Sequence, residues 1–399
     1  MNARRVKIAW LMQFALHAPY WRPLFQELSR LFPKTKVYCC TPRKPGNAGG
    51  SVGIPTASRP PIKDPVFSFV GKAHTYAIRN PDMSLKRVLI LLPLGVFARL
   101  AAFRPHIVFS NGFSLWTLGC LLLRPLLGFR LGIVYDGSSA SADARDRKAR
   151  LLYRRIIAAR VDAFITNSRG GASYLTTVLF AAKEKVFTRI YLAPDAAGLS
   201  RFPRAPARES TARESTARPV FLYVGRVMRM KGIDTLLDAC AQLLTRGFPA
   251  FSTIVVGGGR EAAKFHERAR ALGLDGIVRW AGWVDHARLA PYYLSADVFV
   301  FPTFGDVWGV APLEAMSFSK PVICSTLAGV SELVVEGQNG FLFDPHDSTA
   351  LADAMERFVT DTSLARRMGS RSGERMAGVN PVTAAEGLRD VMELLERGL

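Results

Sequence analysis

Short, nearly unbroken apolar runs recur along the chain, each followed by a stretch of helical spacing. In the first half they are VKIAWLM, KVYCC, HIVFS, RLGIVYD, VDAFITN and KVFTRIYLAP. In the second they are VFLYVGR, STIVVGGG, IVRWAGW, DVFVFPTF and PVIC. A strand wet on one face alternates apolar and polar residues, whereas an unbroken apolar run suits a strand covered on both faces. The pattern therefore predicts parallel sheets flanked by helices. It lapses at RFPRAPARESTARESTARP, where Ala-Arg-Glu-Ser-Thr repeats in tandem from Ala207 to Thr216. That stretch is too polar to bury a core and predicts an exposed linker over 201–218. The expected architecture is α/β, two Rossmann-like doubly wound domains facing a cleft: 1–200, then 219–375. A last apolar-periodic segment, AAEGLRDVMELLERGL within 376–399, is expected to pack across the domain boundary.

Two apolar stretches admit a second reading. The start, MNARRVKIAWLMQFALHAPYW, has the basic opening and apolar run of a signal peptide, but no small-residue cleavage site follows, which favours a first buried strand. The run VLILLPLGVFA, Val88 to Ala98, has eleven residues between Arg87 and Arg99. A bilayer-spanning helix needs about 20 residues, so a buried helix with charged ends is expected, or one lying on an anionic membrane surface.

Charge and cysteine content narrow the class. With 53 Lys and Arg against 32 Asp and Glu, the net charge of +21 favours anionic partners: phosphates, acidic lipid or nucleic acid. The five cysteines form no CxxC pair, so neither a zinc site nor a disulfide framework is indicated.

Three stretches carry candidate chemistry. YVGRVMRMKG sets Arg226 and Lys231 where a strand hands over to a helix, with Gly225 permitting a tight turn, so that two cations can converge on a diphosphate. VVGGGR, with Gly257 and Gly258, allows close backbone approach to a ligand but is not the GxGxxG of a dinucleotide site. FGDVWGVAPLEAM follows a buried strand and offers Asp306, a Gly309-Val310-Ala311 turn, Pro312 at a first helical position and Glu314 in the first helical turn. Peptide N–H groups and a helix dipole there could meet a diphosphate, with a carboxylate on each side for hydroxyls. Helix-start and turn chemistry explain each carboxylate singly; the combination with the other two stretches points to a site.

In the order YVGRVMRMKGIDTLL, IVVGGG, VRWAGWV, SADVFVFPT, GDVWGVAPLEAMSFSKPVICSTLAGVSELV and GQNGFLFDP, residues 219 to 345 resemble the retaining GT-B glycosyltransferases of family 4. The resemblance implies a nucleotide-sugar donor held by the second domain and an acceptor held by the first. It implies that Glu314 is the second Glu of a Glu-x7-Glu motif, binding the donor ribose. Asp306 stands where the first Glu usually sits, near the transferred sugar and one methylene shorter. Arg226 and Lys231 match the cations on the diphosphate, and Gly309, Val310 and Ala311 the backbone beside it. A catalytic role then falls on Asp306, Arg226 and Lys231, and donor binding on Glu314 and the glycines. No Asp-x-Asp metal motif sits in a suitable loop, so neither metal nor cofactor is expected.

The first half resembles the family far less. Asn111 aligns with a position where many members carry His. Acceptor-side candidates are His17, Tyr20 and Arg22 after the first strand, Asn111 and Ser114 in FSNGFS, and Asp136, a possible base, in YDGSSAS. RDRKARLLYRRIIAAR combines a basic and an apolar face and suits anionic lipid as well as a solvated surface. The expected function is sugar transfer to a saccharide or lipid-linked saccharide in polysaccharide or envelope glycan biosynthesis, in the cytoplasm, peripheral at the inner membrane face. The competing readings are a non-catalytic basic protein binding nucleic acid or membrane, and a phosphorylase or epimerase on the same fold. Carboxylates at the site would repel a polyanion, which weighs against nucleic acid.

Overall fold

The computed structural model describes residues 5–13, 21–42, 66–78, 87–91, 93–137, 139, 143, 145, 147–200 and 219–397. His17, Tyr20 and the linker at 201–218 lie outside the described residues. The chain divides into two compact units, Met1–Ala193 with Val379–Leu399, and Pro194–Gly378. The division at Ala193 falls ahead of the expected 200.

In the first unit, strands β1 (Lys7–Leu11), β2 (Lys34–Pro42), β3 (Phe67–Ile78), β4 (Arg87–Leu91), β5 (Ile107–Asn111), β6 (Arg130–Tyr135), β7 (Ala163–Thr166) and β8 (Val186–Thr188) form one sheet. Its order is β4-β3-β2-β1-β5-β6-β7-β8. All neighbours run parallel except β4, which is antiparallel to β3. Helices α1 (Trp21–Leu31), α2 (Gly95–Phe103), α3 (Leu115–Leu127), α4 (Lys148–Ala158) and the short α5 (Arg169–Ser173) connect the strands. The run Val88–Ala98, expected as one helix, is instead the end of β4 followed by the start of α2. Pro93 lies between them; it donates no N–H and holds its φ fixed, so neither ladder nor helix can continue through it. α2 and α3 pack closely because Gly119 leaves room for the Phe97 ring, which a Cβ there would approach to 2.1 Å.

In the second unit, β9 (Val220–Val224), β10 (Ser252–Val256), β11 (Val278–Gly282), β12 (Val298–Phe301), β13 (Val322–Ser325) and β14 (Gly340–Phe343) form an all-parallel sheet, order β11-β10-β9-β12-β13-β14. Its helices are α6 (Ala196–Ser200), α7 (Ile233–Thr245), α8 (Ala262–Ala271), α9 (Ala290–Ser295), α10 (Val310–Ser317), α11 (Ser348–Thr360) and α12 (Leu364–Met376). β9, β10, β12 and β13 are buried almost throughout, as unbroken apolar runs require. The chain then re-enters the first unit as α13 (Pro381–Arg397), which packs on α1.

Candidate functional site

The strand order of the second unit reverses direction between β9 and β12. In open α/β sheets such a switch point leaves a crevice beyond the carboxyl ends of the two strands, because their connections leave to opposite sides. Arg226 and Lys231 follow β9, and Asp306 and Glu314 follow β12. The topology therefore brings together residues about 80 positions apart in the chain.

Backbone contacts stitch the two loops. After β9 the chain makes a 3-10 turn, Arg229–Lys231, and leaves through Gly232 at φ +74°. A Cβ on Gly232 would stand 1.8 Å from the Pro302 carbonyl oxygen, so only glycine permits this approach. Met230 O accepts from Phe304 N at 3.0 Å and from Thr303 Oγ1 at 3.2 Å. Lys231 is thereby held beside Asp306, and its Nζ donates to Asp306 Oδ2 at 2.5 Å. Arg226 is exposed on the same loop, and its carbonyl accepts from the buried Tyr223 hydroxyl at 2.7 Å. The triple glycine serves this loop. Val227 N donates to Gly258 O at 3.0 Å, and Cβ atoms on Gly257 and Gly259 would meet Gly225 O at 1.8 Å and Val227 O at 2.1 Å. The close approach made by Gly257 and Gly259 is to protein backbone. Gly258 alone has ordinary clearance, 3.6 Å to Trp283 Cβ.

Past Asp306 the loop is pinned by Gly329 N to Asp306 O at 2.9 Å and Val330 N to Trp308 O at 2.8 Å. Gly309, at φ +107°, turns the chain into α10. Val310 and Ala311 are partly exposed first-turn residues, and first-turn N–H groups have no partner within a helix. Pro312 is the third helical residue rather than the first, and Glu314 is the fifth, past the first turn. Pro312 still fits, because its missing N–H would have gone unused there.

The position of Glu314 inside the helix buries it to 3% exposure between two partners. Its Oε1 lies 2.6 Å from His286 Nε2, and its Oε2 accepts from the Tyr293 hydroxyl at 2.6 Å. Burial alone would lower the His286 pKa; the Glu314 hydrogen bond and charge, with smaller contributions from Asp285 and Asp195, outweigh it and raise the value above 6.5. Burial, then the Glu314 charge, push the Tyr293 hydroxyl well above its ordinary value, so it stays protonated and donates. The sequence reading set His286 aside as an ordinary residue and did not single out Tyr293. The available signal was position: His286 opens a turn just beyond β11, at the ligand-binding end of the sheet.

In the first unit two of the acceptor-side candidates, Ser114 and Asp136, have identifiable local partners. Asn111 ends β5, next to the corresponding reversal between β1 and β5. Ser114 caps α3 in a reciprocal pair with Thr117, which accounts for it as a helix start. Arg22 lies on α1 and is half-buried. Asp136 follows β6; its Oδ1 accepts from the Tyr191 hydroxyl at 2.7 Å, and burial raises its pKa against the lowering effect of that bond. Tyr191 in turn stacks on Trp21 at 5.5 Å, and its N–H donates to Asn167 Oδ1. Asp136 is thus anchored by Tyr191 and shares its carbonyl with Asn167 Nδ2 at 3.1 Å.

Two doubly wound parallel sheets, with a cation pair and a helix start at a switch point, define a protein of the GT-B fold class. Residues 207–375 match the family described as glycosyl transferases group 1. Among curated proteins, D-inositol 3-phosphate glycosyltransferase 2 of Catenulispora acidiphila is 29% identical over 273 residues, 65% of this chain and 62% of the relative. The lipopolysaccharide core biosynthesis glycosyltransferase LpsE of Rhizobium meliloti is 34% identical over 160 residues, 40% of this chain and 45% of the relative. The match thus spans less than two thirds of either relative's length. Among solved structures, Anabaena HepE in complex with UDP aligns with TM-score 0.73 at 18% identity, covering 97% of this chain and all of that one. Sucrose-phosphate synthase of Thermosynechococcus elongatus aligns with TM-score 0.70 at 23% identity, covering 99% of this chain. At these identities the structural matches establish the fold.

Proposed function

We propose that the chain is a glycosyltransferase that moves a sugar from a nucleoside diphosphate sugar to a saccharide or lipid-linked saccharide, with retention at the anomeric carbon. The observation that carries the reading is the Lys231–Asp306 pair beside the Gly309 turn into α10. Breaking the bond between the donor's anomeric carbon and its diphosphate develops one further negative charge on the departing diphosphate, and donors fixed in advance at that point stabilise the transition state most. Asp306 holds the Lys231 ammonium in place, Arg226 adds a second cation, and the N–H groups of Val310 and Ala311 complete the cradle. The reading assigns the diphosphate charge to these groups rather than to a metal. Glu314, with one oxygen on His286 and the other on Tyr293, keeps lone pairs for the ribose diol. Asp306 lies toward the transferred sugar. The UDP of the HepE complex and the lipopolysaccharide role of LpsE support a nucleotide donor and an envelope glycan product.

Hydrolysis of nucleoside diphosphate sugars by the purified chain, followed for wild type, Lys231→Ala and Glu314→Ala, tests this. Lys231→Ala is expected to lose about 10²–10³ in kcat, and Glu314→Ala mainly donor affinity. Wild-type rates and affinities in both variants would reject the assignment.

A further inference from the structure

One face of the first unit carries a combination that the sugar-transfer reading does not use. α3 and α4 bound a groove of about 820 Å³ lined by Leu118, Leu121, Leu122, Phe129, Ile156 and Ile157. Beside it the helices present apolar side chains to solvent: Leu122 is 72% exposed, Leu126 81% and Leu152 60%. In a water-facing protein, large apolar residues clustered this way mark an interaction surface. The charges around them are predominantly basic. α2, α3 and α4 contain no Asp or Glu, while Lys148, Arg150 and Arg155 are exposed on α4 and Arg124, Arg130 and Arg160 rim the groove. Asp162, the carboxylate beside the rim, is already paired with Arg124 at 2.8 Å and Arg130 at 3.6 Å.

We propose that the α3–α4 face docks on an anionic lipid bilayer. Leucine and isoleucine side chains of that length reach the boundary between headgroups and acyl chains, while arginine stems lie along the apolar surface with guanidinium groups at the lipid phosphates. Charge complementarity selects this occupant: a neutral apolar partner leaves the exposed cations Lys148, Arg150, Arg155 and Arg160 without counter-charge, and a second copy of the same face sets like charges against each other. A nucleic acid would satisfy the cations and leave the leucines wet. Among the described residues no helix is long and apolar enough to cross a membrane, so the contact is peripheral. The inference is independent of the sugar-transfer reading, because it concerns binding alone.

The test is sedimentation of the full chain with vesicles of phosphatidylcholine alone and of phosphatidylcholine with phosphatidylglycerol, at low and high salt. The chain is expected to pellet with the anionic vesicles and to be released by salt. Leu122→Glu with Leu126→Glu, and separately Lys148→Glu with Arg150→Glu, are each expected to cut the bound fraction at least tenfold, with unchanged thermal midpoint and nucleoside diphosphate binding. These side chains are exposed, so folding should survive; the charge pair provides a second, independent variant. Failure of the wild type to bind, equal binding to neutral vesicles, or full binding by both variants would overturn the proposal. So would a dimer seen by light scattering that Leu122→Glu with Leu126→Glu breaks without changing vesicle binding.

Discussion

His286 shows how a residue marked by its position beyond a strand, and by no motif, comes to hold the buried carboxylate of a candidate site. Its partner Glu314 lies 28 positions on, and Glu314 joins Tyr293, 21 positions before it, only because α9 and α10 flank the same strand, β12. Asp306, Lys231 and Glu314 were legible because residue type, glycine context and order in the chain coincide; His286 was not, because nothing around it repeats or pairs. The groups facing it are Glu314, Asp285 and Asp195, all carboxylates, and they raise its pKa above the ordinary 6.5 despite burial. A histidine whose folded pKa exceeds its unfolded value stabilises the fold fully below the unfolded pKa, and that contribution is lost as pH rises through the folded value. Raising the pH from below 6.5 through the raised value should therefore lower the thermal midpoint of the second unit. His286→Gln, which can still donate to Glu314, should remove that slope. An identical pH profile in the variant would show that His286 does not titrate in this range.

At the scale of elements, the apolar runs identified most strands because parallel strands covered on both faces have nowhere to place a polar residue. β3, β4 and β14 were missed. FSFVGKAHTYAI breaks its apolar residues with Ser68, Lys72, His74 and Thr75, so it offers no unbroken apolar run, and β4 is the antiparallel edge beside it. The triple glycine was located correctly, but its reason lay in the fold: Gly257 and Gly259 make room for the backbone of the 225–227 turn. The three positions should therefore respond differently. Gly257→Ala forces a side chain onto a backbone at φ +143° and into the Gly225 carbonyl. It should cost about 1–3 kcal/mol in urea unfolding of the second unit through strain alone, and Gly259→Ala should also destabilise, through its contact with Val227 O. Gly258→Ala has room and should leave stability within about 0.5 kcal/mol of wild type. Equal losses at all three sites would show that the loops are not packed as described.

At the scale of the whole molecule, the two units are unequal in how they use the chain. The second is continuous from Pro194 to Gly378, whereas the first is closed by α13, which the chain supplies last. α13 buries Leu388, Val391, Met392 and Leu395, and on α1 the buried residues are Trp21, Leu24, Phe25 and Leu28. Burying each such side chain stabilises by about 1.5–3 kcal/mol, an upper range because unfolded chains already bury some surface. Four of them rival the whole stability of a domain, about 5–15 kcal/mol. A chain ending at residue 378 should therefore lose the first unit while keeping the second. Calorimetry of that truncation should show one transition, raised by a nucleoside diphosphate that binds the folded second unit, since ligand at 100 times its Kd adds about 2.7 kcal/mol. Limited proteolysis should degrade residues before Pro194 and spare those from 219 to 378. If the first unit stayed protease-resistant without α13, its core would be complete without that helix. If the remaining transition ignored the nucleotide, the donor site would not be confined to the second unit.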